Sequence, residues 1–249
     1  MSNLSVSRPI GLPVPDWTPP PRPEGAVLEG RYARLEPLSA EDHAALLFAA
    51  YDGEDWLWDY MPVGPFSSAS MYHRWVKEAT ADPELCFYAV KDLETGQYGG
   101  VASYLRIDPA AGSIEVGNIN YAPRLQRTRA ATEAMALMMR WAFEAGYRRY
   151  EWKCNALNMP SRAAAQRLGF SYEGVFRQAL VVKGRNRDTA WFAAIDREWP
   201  ALSAAYAEWL SPDNFDAEGR QIERLSDLTR KIRVSDDPAL LDQGLPPEA

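Results

Sequence analysis

Leu125-Gln126-Arg127-Thr128-Arg129-Ala130-Ala131-Thr132-Glu133-Ala134 joins a strand-like run, Ser113–Tyr121, to an alanine-rich helical run that continues to Glu144. Small residues at a helix start leave consecutive backbone N–H groups without partners, and the helix dipole adds attraction for an anion there. Arg127 and Arg129 put charge beside that cradle. An ordinary basic strand-to-helix connection reads the same way, and no Walker-type or Gly-x-Gly-x-x-Gly phosphate loop is present. The next strand-like run, Arg148–Cys154, leads to a second turn of this kind, Asn158-Met159-Pro160-Ser161-Arg162-Ala163-Ala164-Ala165-Gln166-Arg167-Leu168-Gly169-Phe170.

Outward from these stretches, periodicity predicts the remaining elements. Upstream, Arg31–Leu38 alternates as a short strand, and Ser39-Ala40-Glu41-Asp42 reads as a capped helix start with an apolar face of Ala44, Leu47, Phe48 and Tyr51. A second helix is expected over Ser68–Ala79, then a hairpin of Leu85–Asp92 and Tyr98–Ile107 around Thr95-Gly96. Downstream, Phe170–Lys183 and Arg187–Asp196 pair around Gly184-Arg185-Asn186, and a helix follows at Trp199–Leu210. This order predicts an α+β (mixed α/β) fold with a mixed sheet. Residues 1–27 read as an extended arm, because the seven prolines among residues 1–25 exclude a helix or a central strand. Trp17 is expected to dock on the domain or on a neighbouring subunit, which makes an arm-exchanged homodimer an expectation to test. A main domain is expected over residues 28–210, with one further helix and a tail over 211–249.

Composition excludes several classes. The 249 residues are 47% hydrophobic and 24% charged, in the range of globular chains. A net charge of −7 argues against a general grip on nucleic acid or an anionic membrane. No apolar run of membrane-spanning length and no signal segment is read, so a cytoplasmic protein is expected. His43 and His73, with Cys86 and Cys154, do not make a zinc site of usual spacing, so no metal is expected. Both cysteines read as buried, reduced thiols, and Met135, Met138, Met139 and Trp141 as core packing.

The two turn stretches, in this order, resemble the Gcn5-related N-acetyltransferase (GNAT) superfamily over roughly residues 28–200. The first is similar to its Gln/Arg-x-x-Gly-x-Gly/Ala pyrophosphate motif and the second to its Asn-x-x-Ser…Leu-Gly-Phe element. Together with Tyr150-Glu151-Trp152-Lys153-Cys154 and Val181-Val182-Lys183-Gly184-Arg185-Asn186-Arg187-Asp188-Thr189-Ala190-Trp191-Phe192, they resemble the branch holding ribosomal-protein N-terminal alanine acetyltransferases. The resemblance implies a twisted mixed sheet flanked by helices, whose central parallel strands, Ser113–Tyr121 and Arg148–Cys154, splay apart to admit acetyl-CoA. It implies that main-chain groups near Ile119 and Tyr121, and Asn158 opposite, hold the pantetheine arm, while Gln126, Arg127, Thr128, Arg129, Ala130 and Ala131 hold the pyrophosphate. Arg129 departs from the motif, standing where the family usually has glycine; it requires ordinary helical dihedrals, and its guanidinium is expected to contact phosphate instead.

The implied reaction is transfer of acetyl to a primary amine, of a small molecule or of a peptide N-terminus, by direct attack. A retained acyl-CoA-binding module without turnover is the other reading. Such an amine is protonated at neutral pH, so a base is needed; Glu115 is the candidate, a rim salt-bridge carboxylate its alternative. Ser161 matches the serine placed near the thioester sulfur, and equally reads as a helix-capping residue. The family's tyrosine acid has no counterpart, since Ala165 stands at its position. Asp55, Trp56, Trp58, Asp59 and Tyr60, with Asp52 and Glu54, suit a cationic acceptor or form a solvated loop anchored by its tryptophans. Lys183, Arg185 and Arg187 read as a solvated turn, or as partners of an acceptor carboxylate or of the coenzyme 3′-phosphate.

Overall fold

The computed structural model describes residues 10–241; Pro9, Pro246 and Pro247 of the expected arm and tail lie outside them. The strands are β1 (Leu28–Glu29), β2 (Ala33–Pro37), β3 (Cys86–Asp92), β4 (Tyr98–Asp108), β5 (Ser113–Tyr121), β6 (Arg149–Asn155), β7 (Ser171–Val182) and β8 (Arg185–Ile195). The helices are α1 (Ala40–Ala50), α2 (Ala69–Thr80), α3 (Arg129–Glu144), α4 (Met159–Arg167), α5 (Trp199–Trp209), α6 (Leu225–Arg230) and α7 (Pro238–Leu241). All eight strands form one sheet in the order β1-β2-β3-β4-β5-β6-β8-β7. Among the described residues pairing is antiparallel except between β5 and β6.

That parallel pair is short. Its register runs from Ser113 opposite Arg149 to Val116 opposite Trp152, and ends there although both strands continue. The cause lies on the other edge of β5. Between Ser103/Gly117 and Val101/Asn120 the β4–β5 register slips, and Asn118 turns to φ +50°. An extra residue on one strand bends it and strengthens its twist. Main chain from Gly117 to Tyr121 is thereby left without a β6 partner.

Two cores flank the sheet. On one face α3 lays Met135, Met138 and Met139 against Tyr104, Ile114, Tyr150 and Phe192, as its stripe predicts. On the other, α1 and α2 cover β2 to β4 through Leu47, Tyr72, Val76 and Phe87. Ser39 caps α1 by accepting from the Asp42 N–H at 3.2 Å, as its position implies. Among the described residues, the β5–β8 half of this second face carries no helix.

The arm packs on its own chain. Trp17 Nε1 donates to the Ala110 carbonyl at 3.1 Å, its ring lies over Gly112, and Tyr147 donates to the Pro21 carbonyl at 3.0 Å. Gly112 has φ +68°, and a Cβ there would stand 2.4 Å from the Trp17 ring, so the turn and the docking both need glycine.

After Trp209 the sequence suggests one helix and a tail, whereas the described part forms α6 and α7 and seats against α4. Thr229 Oγ1 donates to the Arg167 carbonyl at 3.0 Å, satisfying an orphan group of the last turn of α4, and Arg233 Nη1 donates at 2.8 Å to the Gln166 carbonyl, which also accepts from the Gly169 N–H. Arg162 forks onto the fully buried Asp237 with two 2.6 Å bonds. Polar composition hid this segment because its few apolar anchors, Phe215, Leu225, Leu228 and Ile232, are scattered among bonds to backbone and one buried ion pair.

Candidate active site

The first wall of the cleft is the turn from β5 into α3. Leu125 and Gln126 N–H groups donate to the Ala122 carbonyl, and Gln126 Nε2 to the Tyr121 carbonyl at 2.7 Å. Gln126 thus braces the turn through its side chain. Arg127 then takes φ +61°, a left-handed conformation costing a side-chain-bearing residue about 1–2 kcal/mol. Thr128 caps α3, its Oγ1 accepting from the Ala131 N–H at 3.0 Å. Among the described residues, no intramolecular acceptor is found for the N–H groups of Arg127, Arg129 and Ala130. Three free donors at a helix start form the anion cradle that the residue types imply.

Arg129 is the first residue of α3, so its backbone is ordinary, as expected, and the left-handed residue of this turn is Arg127. Its guanidinium is held elsewhere than expected, 2.5 Å from Glu94 and over the rings of Tyr32 at 4.7 Å and Phe215 at 4.9 Å. Glu133 of the same motif is structural: its buried carboxylate accepts from the N–H groups of Arg31, Tyr32 and Ala33 at 2.9, 2.6 and 2.7 Å.

The second wall is β6 with α4. Asn158 caps α4, its Oδ1 accepting from the Ser161 N–H at 3.2 Å. The cap is therefore Asn158, and Ser161 is left for another contact: Trp152 Nε1 donates to its Oγ at 3.1 Å. An indole N–H only donates, so the serine oxygen accepts, and the hydroxyl lies within hydrogen-bond reach of the Cys154 sulfur. Cys154 beside it is buried, with its thiol pushed up to about 11 by burial, and Cys86 is also a free thiol. Ala165 is fully buried and contributes no polar group.

The uncovered half-face of the sheet is charged. Glu115, 2% exposed, accepts from Arg106 Nη1 at 2.7 Å, and Lys153 Nζ lies 2.9 Å from its other oxygen without hydrogen-bond alignment. Lys153 also meets Glu151 at 2.7 Å and sits 3.8 Å over the Trp191 ring. Arg149 extends the network to Glu151 and Glu173. Burial raises the Glu115 carboxyl above its usual range, and the pull of Lys153 and Arg106 does not cancel that. Glu115 is thus an ion-paired carboxylate, as its alternative reading has it, but at a buried position rather than on the rim.

The acidic loop is divided. Trp58 is 3% exposed and packs edge-on against Tyr51, Phe66, Tyr72 and Trp75, which anchors the loop. Trp56, Asp55 and Asp59 are exposed; Asp52 and Asp55 rim a pocket of about 160 Å³ whose lining includes neither Glu115 nor Ser161. Tyr60 donates to the Leu157 carbonyl at 3.2 Å, and Lys183 of the β7–β8 hairpin donates to the Trp58 carbonyl at 2.8 Å. The structure thus ties the loop to the β6–α4 turn and to the β7–β8 hairpin. Sequence reasoning passed over Arg106, Lys153 and Trp191, although the two-residue period of β6 and β8 was signal enough to put Lys153 and Trp191 on one face.

A splayed parallel pair, a free-donor cradle at the helix after it, and a capped Asn-x-x-Ser turn opposite define an acyl-coenzyme A transferase fold. The family model for the acetyltransferase (GNAT) domain matches residues 33–171, and the chain belongs to the GNAT family of acetyltransferases, which use acetyl-CoA. A GCN5-related N-acetyltransferase from Brucella melitensis is 46% identical, with 87% of this chain and 100% of that one covered and a TM-score of 0.85. A probable acetyltransferase (GNAT family) from Chromobacterium violaceum ATCC 12472 is 41% identical, covering 78% and 100%, with a TM-score of 0.73. RimL, the ribosomal L7/L12 alpha-N-protein acetyltransferase, shares the fold at 21% identity and a TM-score of 0.59, covering 72% and 99%. None of the curated proteins compared matches the chain. No helix among the described residues is long and apolar enough to cross a membrane.

Proposed function

We propose that this acetyltransferase acts on the primary amine of a small molecule, by direct attack within a ternary complex with acetyl-CoA. The observation that carries the small-molecule reading is the pair of bonds, Lys183 to the Trp58 carbonyl and Tyr60 to the Leu157 carbonyl. They tie the acidic loop to the β6–α4 turn and to the β7–β8 hairpin, which favours a small acceptor over an extended peptide.

The cradle of Arg127, Arg129 and Ala130 N–H groups suits the pyrophosphate, and the unpaired edge of β5 around Ile119 and Tyr121 suits the pantetheine amides. Glu115 takes a proton from the acceptor ammonium, directly or through water. The freed nitrogen lone pair attacks the thioester carbonyl carbon. The carbon–sulfur bond then breaks while the nitrogen gives up its second proton, which passes to the departing sulfur through the Ser161 hydroxyl, giving the N-acetyl product and the coenzyme thiol. Cys154 stays out of the reaction, because a thiol held near 11 is protonated at neutral pH and has no base beside it.

Calorimetry with acetyl-CoA, CoA and succinyl-CoA, followed by an amine panel read by thiol release, tests the reading. Micromolar acetyl-CoA binding and turnover that falls in Glu115→Gln and Ser161→Ala are expected. Absence of binding overturns the acetyl-transfer reading, and unchanged turnover in both variants overturns the residue roles.

A further inference from the structure

The charged network on the open half-face is neutral by itself. Arg106, Lys153 and Arg149 alternate with Glu115, Glu151 and Glu173 in consecutive ion pairs. Arg187 is the surplus cation. No hydrogen bond or ion pair of its guanidinium is found among the described residues, and its Nε is buried.

It does not stand alone. Along β8, Arg187 Nε, Thr189 Oγ1 and Trp191 Nε1 are all buried and all without a hydrogen-bond partner in the described chain. Residues two apart on a strand share a face, so these groups form one row. Trp191 is paired in register with Lys153, which places the row on the Glu115 side of the sheet. Arg187 and Glu115 are close enough for their charges to interact. A buried polar group left unpaired costs about 1–3 kcal/mol, and a row of such groups beside the charged network points to a ligand that pairs them. Guanidinium and indole N–H groups only donate, so the ligand must bring acceptor oxygens, and the surplus charge makes it an anion.

We infer that the acceptor amine carries a carboxylate, which docks on the Arg187–Thr189–Trp191 row while its amino group faces Glu115. The inference rests on the acetyl-transfer reading and narrows its substrate class to amino-acid-like amines. It separates the two alternatives open in the sequence for this hairpin, an acceptor carboxylate and a coenzyme phosphate.

The test uses the full chain and matched amine pairs, free amino acids against their carboxamides, with coenzyme thiol release as the readout and acetyl-CoA binding measured in parallel by calorimetry. Free carboxylates are expected to exceed their amides in kcat/KM by about 10- to 100-fold, the range of one or two charge-assisted hydrogen bonds. Arg187→Gln should erase that preference through acceptor KM, with Arg187→Lys restoring part of it and acetyl-CoA affinity within twofold of wild type. A protein that binds acetyl-CoA yet takes amides or peptide N-termini as well as free carboxylates, or takes none of the carboxylates, overturns the inference alone. If Arg187→Gln instead weakens acetyl-CoA by the same factor as the acceptor, the row serves a coenzyme phosphate and the inference fails. Loss of acetyl-CoA binding in the wild type overturns the acetyl-transfer reading beneath it.

Discussion

The two faces of the β5–β8 half-sheet are built by opposite rules. Toward α3, Ile114, Tyr150 and Phe192 are at most 1% exposed and meet apolar side chains. On the reverse, the very next residues, Glu115, Glu151 and Trp191, meet charges and unpaired donors. The first face holds the strands in place by burial. The second keeps polar groups that stability alone would not select, since burying an unpartnered donor opposes folding. The contrast is the physical ground on which the proposed chemistry is placed on the second face.

The largest effect expected from breaking this contrast is on the charged side. Glu115→Gln should lower kcat by about 10²- to 10⁴-fold, the usual range for a lost general base. It should also remove an ascending limb in the pH–rate profile. That limb lies above the usual carboxylate range, because burial raises the Glu115 carboxyl and the base must be ionised to act.

Neighbours in β8 sharpen the comparison further. Phe192→Ala should cost about 3–5 kcal/mol in chemical denaturation, because it empties a fully buried site. Trp191→Phe, one residue away, should leave stability within about 1 kcal/mol, the scale of its contact with Lys153, while reducing acceptor kcat/KM. Equal losses of stability in both would show that the second face is also simply core.

The α3 side has its own ionic exception. Asp237→Ala would strand the buried Arg162 and should cost about 3–5 kcal/mol, read as a lowered denaturation midpoint. Because Arg162 follows Ser161 in α4, the same variant should raise the KM for acetyl-CoA.

The smallest effect is acid sensitivity at β2. Glu36 is pulled down to about 2, first by the Tyr98 hydroxyl and then by Arg34 and His43. A depressed carboxyl stabilises the fold fully above its unfolded value of 4.5, and that contribution is lost as pH falls through about 2. Glu36→Gln should flatten stability in this window by about 1–2 kcal/mol, measured by thermal melts at stepped pH.

Most of the strand and helix order was legible because it rests on local rules. Ser113–Tyr121 forms a strand over those residues, and α3 begins one residue before the alanine run that predicts it. The cradle was legible in place but not in detail. Nothing local assigns the left-handed turn to Arg127, or holds Arg129 between Tyr32 and Phe215, residues about a hundred positions away in either direction. The acceptor side was least legible. Its loop looks acidic and aromatic in sequence, yet Trp58 is buried in a core of rings and the charged groups near Glu115 come from β4, β6 and β8.

By itself, then, the sequence determined the elements, their order and the two turns that identify the family. These depend on periodicity, caps and small residues within a few positions of each other. Tertiary structure alone decided where β5 leaves β6, which carbonyls of α4 the C-terminal segment bonds, and which donors on β8 remain unpaired. A hydrogen bond that is absent is a property of everything packed around a group, and no local pattern encodes it.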